Sequence, residues 1–136
     1  MSLFGILDIV GSAMDAQIKK MLTFSSNIAN AEKFINKNGQ FSPYVSKKVI
    51  LKPDTKFGKY TNGVKVDKII NNPSPFKVVY NPDSPLANSK GYAPTSNVNI
   101  ISEMIHNIST SHDYQADAAI INTIKYMILK TLSVGS

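Results

Sequence analysis

At 136 residues the chain is one domain's worth of material, and with 43% hydrophobic residues it is not compositionally disordered. Charged residues make up only 18%, which leaves more surface than usual free to be buried against neighbours. Cysteine is absent, so disulfides, thiolate metal sites and cysteine nucleophiles are excluded.

The formal charge of +6 rests on fifteen lysines and no arginine. Arginine supplies bidentate recognition of phosphate and guanine, and its absence argues against a dedicated nucleic-acid binder. The lysines are scattered singly or in pairs, Lys19–Lys20 and Lys47–Lys48 among them, with no basic block. Beside sixteen Ile and thirteen Asn, the missing arginine reads as AT-rich codon pressure. No apolar run approaches the ~20 residues of a membrane-spanning helix. The N-terminus has no basic leader and Asp8 interrupts its apolar stretch, so it does not read as a cleavable signal peptide.

Residues 3–31 contain no proline. Leu3, Leu7, Val10, Met14, Met21, Phe24 and Ile28 recur at four-and-three spacing, with only Gln17 polar in the series. That spacing predicts a helix of ~42 Å with a coiled-coil seam. An ordinary amphipathic helix is the plainer alternative. Gln17 would fix the register of such a seam at some cost in stability.

Gly39, Pro43, Pro53, Gly58 and Gly63 stop helices in the stretch that follows. Residues 44–52, 63–70 and 76–80 read as strands of a two- or three-stranded antiparallel element, with Thr61-Asn62-Gly63 near a turn. Residues 81–95, with three prolines and Gly91, read as an irregular loop. A second helix is predicted from the cap Asn99, with Glu103 favouring its N-terminal dipole and Lys125 and Lys130 its far end. Its apolar face runs through Ile101, Met104, Ile105, Ile108, Ala116, Ala119, Ile120, Ile124, Met127, Ile128 and Leu132, with a small, polar centre that allows close helix approach.

Enzymatic chemistry has no foothold. His106 and His112 are six apart, ~240° around a helix, and cannot share a metal. Asp113 and Asp117 share a face but lack a histidine beside them, and a solvated or subunit-facing pair is the simpler reading. Tyr114 and Tyr126 read as packing groups. The serines lack a nucleophile elbow and the seven glycines form no phosphate-cradling loop. No catalytic, metal or cofactor site and no small-molecule substrate is predicted.

The expected fold is mainly α with a small β element. Long terminal helices, residues 1–31 and 99–136, form an antiparallel coiled coil, joined by an extended, hairpin-bearing middle at 32–98. Together they make one assembly domain. A middle of 67 residues is marginal alone, since even a 60-residue unit buries only ~60% of its unfolded surface. The remaining apolar surface has to meet other subunits.

Ser25-Ser26-Asn27-Ile28-Ala29-Asn30-Ala31 is similar to the Ser-Asn-x-Ala-Asn motif of the flagellar axial family, which builds rod, hook and filament. Asn38-Gly39-Gln40 leading to Tyr44, residues 47–51 and Gly63-Val64-Lys65-Val66 resemble that family's proximal rod subunits. So do Tyr80-Asn81-Pro82-Asp83-Ser84-Pro85-Leu86-Ala87, Gly91-Tyr92, Asn97-Val98-Asn99, Glu103-Met104, Tyr114-Gln115-Ala116 and the run from Met127 to Leu132. The likeness covers the whole chain. It departs at Ser96, where proline is usual, and at Asn99, where aspartate is commoner.

The resemblance implies unfolded export through the flagellar type III apparatus without signal cleavage. It also implies packing with copies of itself, other rod proteins, basal-body ring and export-gate components. The product would be a hollow periplasmic shaft that transmits torque and carries exported cargo. Expected subunit contacts are Leu3, Leu7, Val10, Met14, Gln17, Met21, Phe24, Asn27, Ile28 and Asn30 on the first helix, the two asparagines bonding across helices. On the second they are Ile101, Ile105, Ile108, Tyr114, Gln115, Ile120, Ile124, Met127, Ile128 and Leu132. Rival readings are another short axial subunit and a basic, helical nucleic-acid-associated protein, the latter marked by steep salt dependence.

Overall fold

The computed structural model describes residues 2–57 and 62–135. Two helices bracket three small antiparallel strand pairs. Helix α1 (Leu3–Ala29) starts at Ser2, whose Oγ accepts from the Gly5 N–H at 3.0 Å. It closes on Asn30, whose N–H bonds back to Ser26 and Ile28 carbonyls. Helix α2 (Ile100–Val134) starts at the predicted cap, Asn99, which accepts from Ser102 N–H at 3.2 Å, with Glu103 in the first turn. Its last turn holds no basic residue, so Lys125 and Lys130 fall short of the C-terminal dipole.

The helices run antiparallel. Asn27 meets Glu103, Ser25 meets Asn107 at 3.1 Å, and the Phe24 and His106 rings lie 5.5 Å apart. With 27 and 35 residues they are ~40 and ~52 Å long, so α2 outlasts its partner by about two turns.

Strands β1 (Phe34–Lys37) and β2 (Gln40–Pro43) form a hairpin outside the expected strand set. Its turn is Asn38-Gly39, both at positive φ (54° and 81°), the backbone that a tight two-residue turn requires. Strands β3 (Lys47–Asp54) and β4 (Gly63–Asn71) pair next, with a bulge between Ile50 and Leu51. The predicted turn residue Thr61 lies outside the described residues.

Strand β3 begins later than the expected residue 44, because side chains claim the backbone before it. Ser46 N–H donates to Asn97 Oδ1 at 2.8 Å, and the strand's first N–H, that of Lys47, donates to Asn27 Oδ1 at 2.9 Å. Strand β5 (Lys77–Tyr80) pairs with β6 (Tyr92–Thr95), which corrects the reading of residues 81–95 as loop throughout. Gly91 at φ 83° turns the chain back, and Asn88 Oδ1 accepts from Lys90 and Tyr92 N–H groups.

The three pairs remain separate sheets. A small core of Ala31, Tyr44 and Val98 lies where α1, the middle and α2 converge. Among the described residues no helix is long and apolar enough to cross a membrane.

Candidate assembly interface

Asn27 is the polar centre of this junction. It is 0% exposed, and all its side-chain capacity is used. Oδ1 accepts from Tyr44 Oη at 3.0 Å and from Lys47 N–H, while Nδ2 donates to Lys47 C=O at 2.9 Å and Glu103 Oε2 at 3.0 Å. One side chain thus ties α1, β3 and α2 together. Within the chain Asn30 bonds to its own helix: its Nδ2 donates to Ser26 C=O at 2.7 Å. A second polar brace, Asn97, accepts from Ser46 and donates to the carbonyls of Asn72 and Ser74.

Along α1 the predicted seam is withdrawn from solvent: Val10 is buried, and Leu3, Leu7, Met14, Gln17, Met21, Phe24 and Ile28 are half-buried. Along α2 the apolar face and the covered face part company. Buried or half-buried positions include Glu103, Asn107, Thr110, Tyr114, Asp117, Ile121, Ile124 and Ile128, at four-and-three spacing. The first five of these are polar or amphipathic, so this half of α2 does not offer the predicted apolar seam. Gln17 Oε1 and Asp117 Oδ2 are buried there without a hydrogen-bond partner among the described residues.

Of the expected α2 contacts, Ile124 is buried and Tyr114 and Ile128 half-buried. Gln115, Ile120, Met127 and Leu132 are exposed, and Ile101, Ile105 and Ile108 stand 72%, 60% and 58% exposed. Residues 101, 105 and 108 share one helical face with Met104, so four large apolar side chains form a continuous exposed ridge, whose Met104 and Ile108 also border a groove with Met21 and Ile28 of α1. Contiguous exposed apolar patches mark interaction sites, whereas singly scattered apolar side chains are ordinary surface. Thr110, Asn107 and Ile121 are covered positions that the sequence reading missed; a four-and-three series begun at Glu103 instead of Ile101 would have found them.

The β3–β4 pair is charged. Lys52 stands opposite Lys65, and two carboxylates relieve the repulsion. Asp67 pairs with Lys52, and Asp54 with Lys65 at 3.1 Å. Burial pushes the Asp54 carboxyl up, but the Lys65 hydrogen bond, the Lys56 N–H and both lysine charges outweigh it and hold the group below its ordinary value. The Lys52 hydrogen bond, and the lysine charges nearby, hold Asp67 low against a smaller opposing effect of burial.

Among the described residues no group of three or more His, Cys, Asp or Glu side chains could hold a metal. His106 packs on Phe24 and belongs to no such group.

Residues 89–134 match the family described as flagellar basal body rod FlgEFG protein C-terminal. Over 135 residues, 99% of both chains, the sequence is 50% identical to flagellar basal-body rod protein FlgC of Buchnera aphidicola subsp. Schizaphis graminum. Over the same span and coverage it is 43% identical to the FlgC protein of Salmonella typhimurium and 42% identical to that of Escherichia coli O157:H7. Identity at this level across a full-length match places every element described above inside one family. The chain is a member of the FlgC family of flagellar basal-body rod proteins.

Proposed function

We propose that the chain is a structural subunit of the proximal rod and has no catalytic role. Copies of it assemble with other rod proteins, against ring and export-gate components, into a hollow shaft that transmits torque and carries cargo. The subunit reaches the periplasm through the type III apparatus with its N-terminus intact. One observation carries this reading: along its first half α2 covers polar residues while Ile101, Ile105 and Ile108 stay largely exposed. A fold that served only itself would do the opposite. In the assembled rod the ridge meets neighbouring helices.

Tagged wild-type protein should copurify with intact basal bodies. Ile105→Lys with Ile108→Lys should give a purified chain that folds normally, because both positions face solvent, yet is missing from basal bodies. Wild-type levels of this variant in the rod would refute the ridge as an assembly surface.

A further inference from the structure

Gly11 lies inside α1, where glycine is about 1 kcal/mol less favourable than alanine. Packing within the chain does not require it, for nothing lies within 4 Å of where a Cβ on it would stand. It sits at the centre of an exposed stripe at helical spacing: Phe4, Asp8, Gly11, Asp15, Ile18 and Leu22. Asp8 makes no ion pair among the described residues, and Asp15 pairs only with its own helix's Lys19 at 2.8 Å. A bare notch flanked by carboxylates and apolar knobs suits a surface that comes close to the helix backbone.

Roughly 160° around α1 from this stripe, a groove of about 400 Å³ runs between β3 and both helices. Its floor is Phe24, Val49 and Ile50, and Lys20, Lys47 and Lys48 stand on its rim. None of these three lysine side chains has an ion pair among the described residues. Glu103 and Asp113 also line the groove, but Glu103 is engaged by Asn27. An apolar floor with a lysine rim complements apolar knobs interleaved with aspartates.

We propose that the α1 stripe of one copy seats in the lysine-rimmed groove of a second copy. Gly11 is the point of closest approach, and Asp8 and Asp15 lie against Lys47 and Lys48. The two surfaces differ, so the contact is head-to-tail, and the rotation between copies decides whether it closes into a ring or continues as a helix. The proposal rests on the assembly reading above and names the faces that consecutive copies share.

Gly11→Leu tests the close approach. The purified chain should keep its helix content, because the position opens to solvent, while its amount in basal bodies should fall at least about tenfold. Incorporation at the wild-type level would overturn the proposal. Asp8→Lys with Asp15→Lys, and Lys47→Asp with Lys48→Asp, should each cut incorporation, and a chain carrying all four should regain it. Failure to regain it in a folded four-site variant excludes a second copy as the occupant. Because the chain lacks cysteine, Asp8→Cys combined with Lys48→Cys supplies an independent readout. Mild oxidation of rods containing it should give a ladder of cross-linked copies that neither single variant gives; monomer alone would overturn the pairing. Wild-type protein missing from basal bodies would instead remove the underlying assembly reading.

Discussion

Asn27 makes four hydrogen bonds from full burial, and a single substitution reaches all of them. Asn27→Ala strands Glu103, the Lys47 peptide and the Tyr44 hydroxyl, and each buried group left without a partner costs about 1–3 kcal/mol. A net loss near 3 kcal/mol in urea unfolding is expected. Asn27→Asp should be at least as damaging, since it loses both donors and sets a carboxylate against Glu103. Wild-type stability for either variant would show that the junction is not held from this residue. Gly91 is a second sensitive point. Its φ of 83° disfavours any side chain, and a Cβ there would come within 2.7 Å of the Tyr80 ring. Gly91→Ala should cost about 1–3 kcal/mol, and hydrogen exchange should speed up in β5 and β6 while α1 and α2 keep their protection.

The β3–β4 pair should respond to acid in a defined direction. Asp54 and Asp67 are both held below their ordinary value of 3.8, so their ionised forms stabilise the pair above that pH. The contribution stays constant at neutral pH and is lost as pH falls through the lowered folded values. Carboxyl titration by NMR should place both midpoints under 3.8, and Lys65→Met should raise that of Asp54. At this scale the helices were legible, because the seam of α1 and the cap at Asn99 are local, periodic signals. The four-residue strands were not. β6 is made by a positive-φ glycine and pairs through Pro94 opposite Val78, features that read as loop in a one-dimensional pattern. β1 and β2 rest on the Asn38-Gly39 turn alone, without alternating burial to announce them. The motif reading gave Asn27 and Asn30 the same cross-helix role; within the chain Asn27 bonds to Glu103 of α2 and Asn30 to Ser26 of its own helix, a difference that depends on which way each amide points.

For the whole molecule, apolar periodicity does not say whether a face turns toward its own fold or toward a neighbour. In α2 the two answers separate: its covered face includes Thr110, Tyr114 and Asp117, while Ile101, Ile105 and Ile108 stay largely exposed. Burying that ridge between subunits removes apolar surface worth about 25 cal/mol per Å² from water in every copy, and a repeating contact multiplies the gain. The absence of cysteine permits a direct check on the ridge. Single cysteines at Ile101, Ile105 and Ile108 should react rapidly with a maleimide in the purified, folded chain and become strongly protected in intact basal bodies. Equal labelling rates in the free chain and in the rod would contradict the claim that this face is where the subunit assembles.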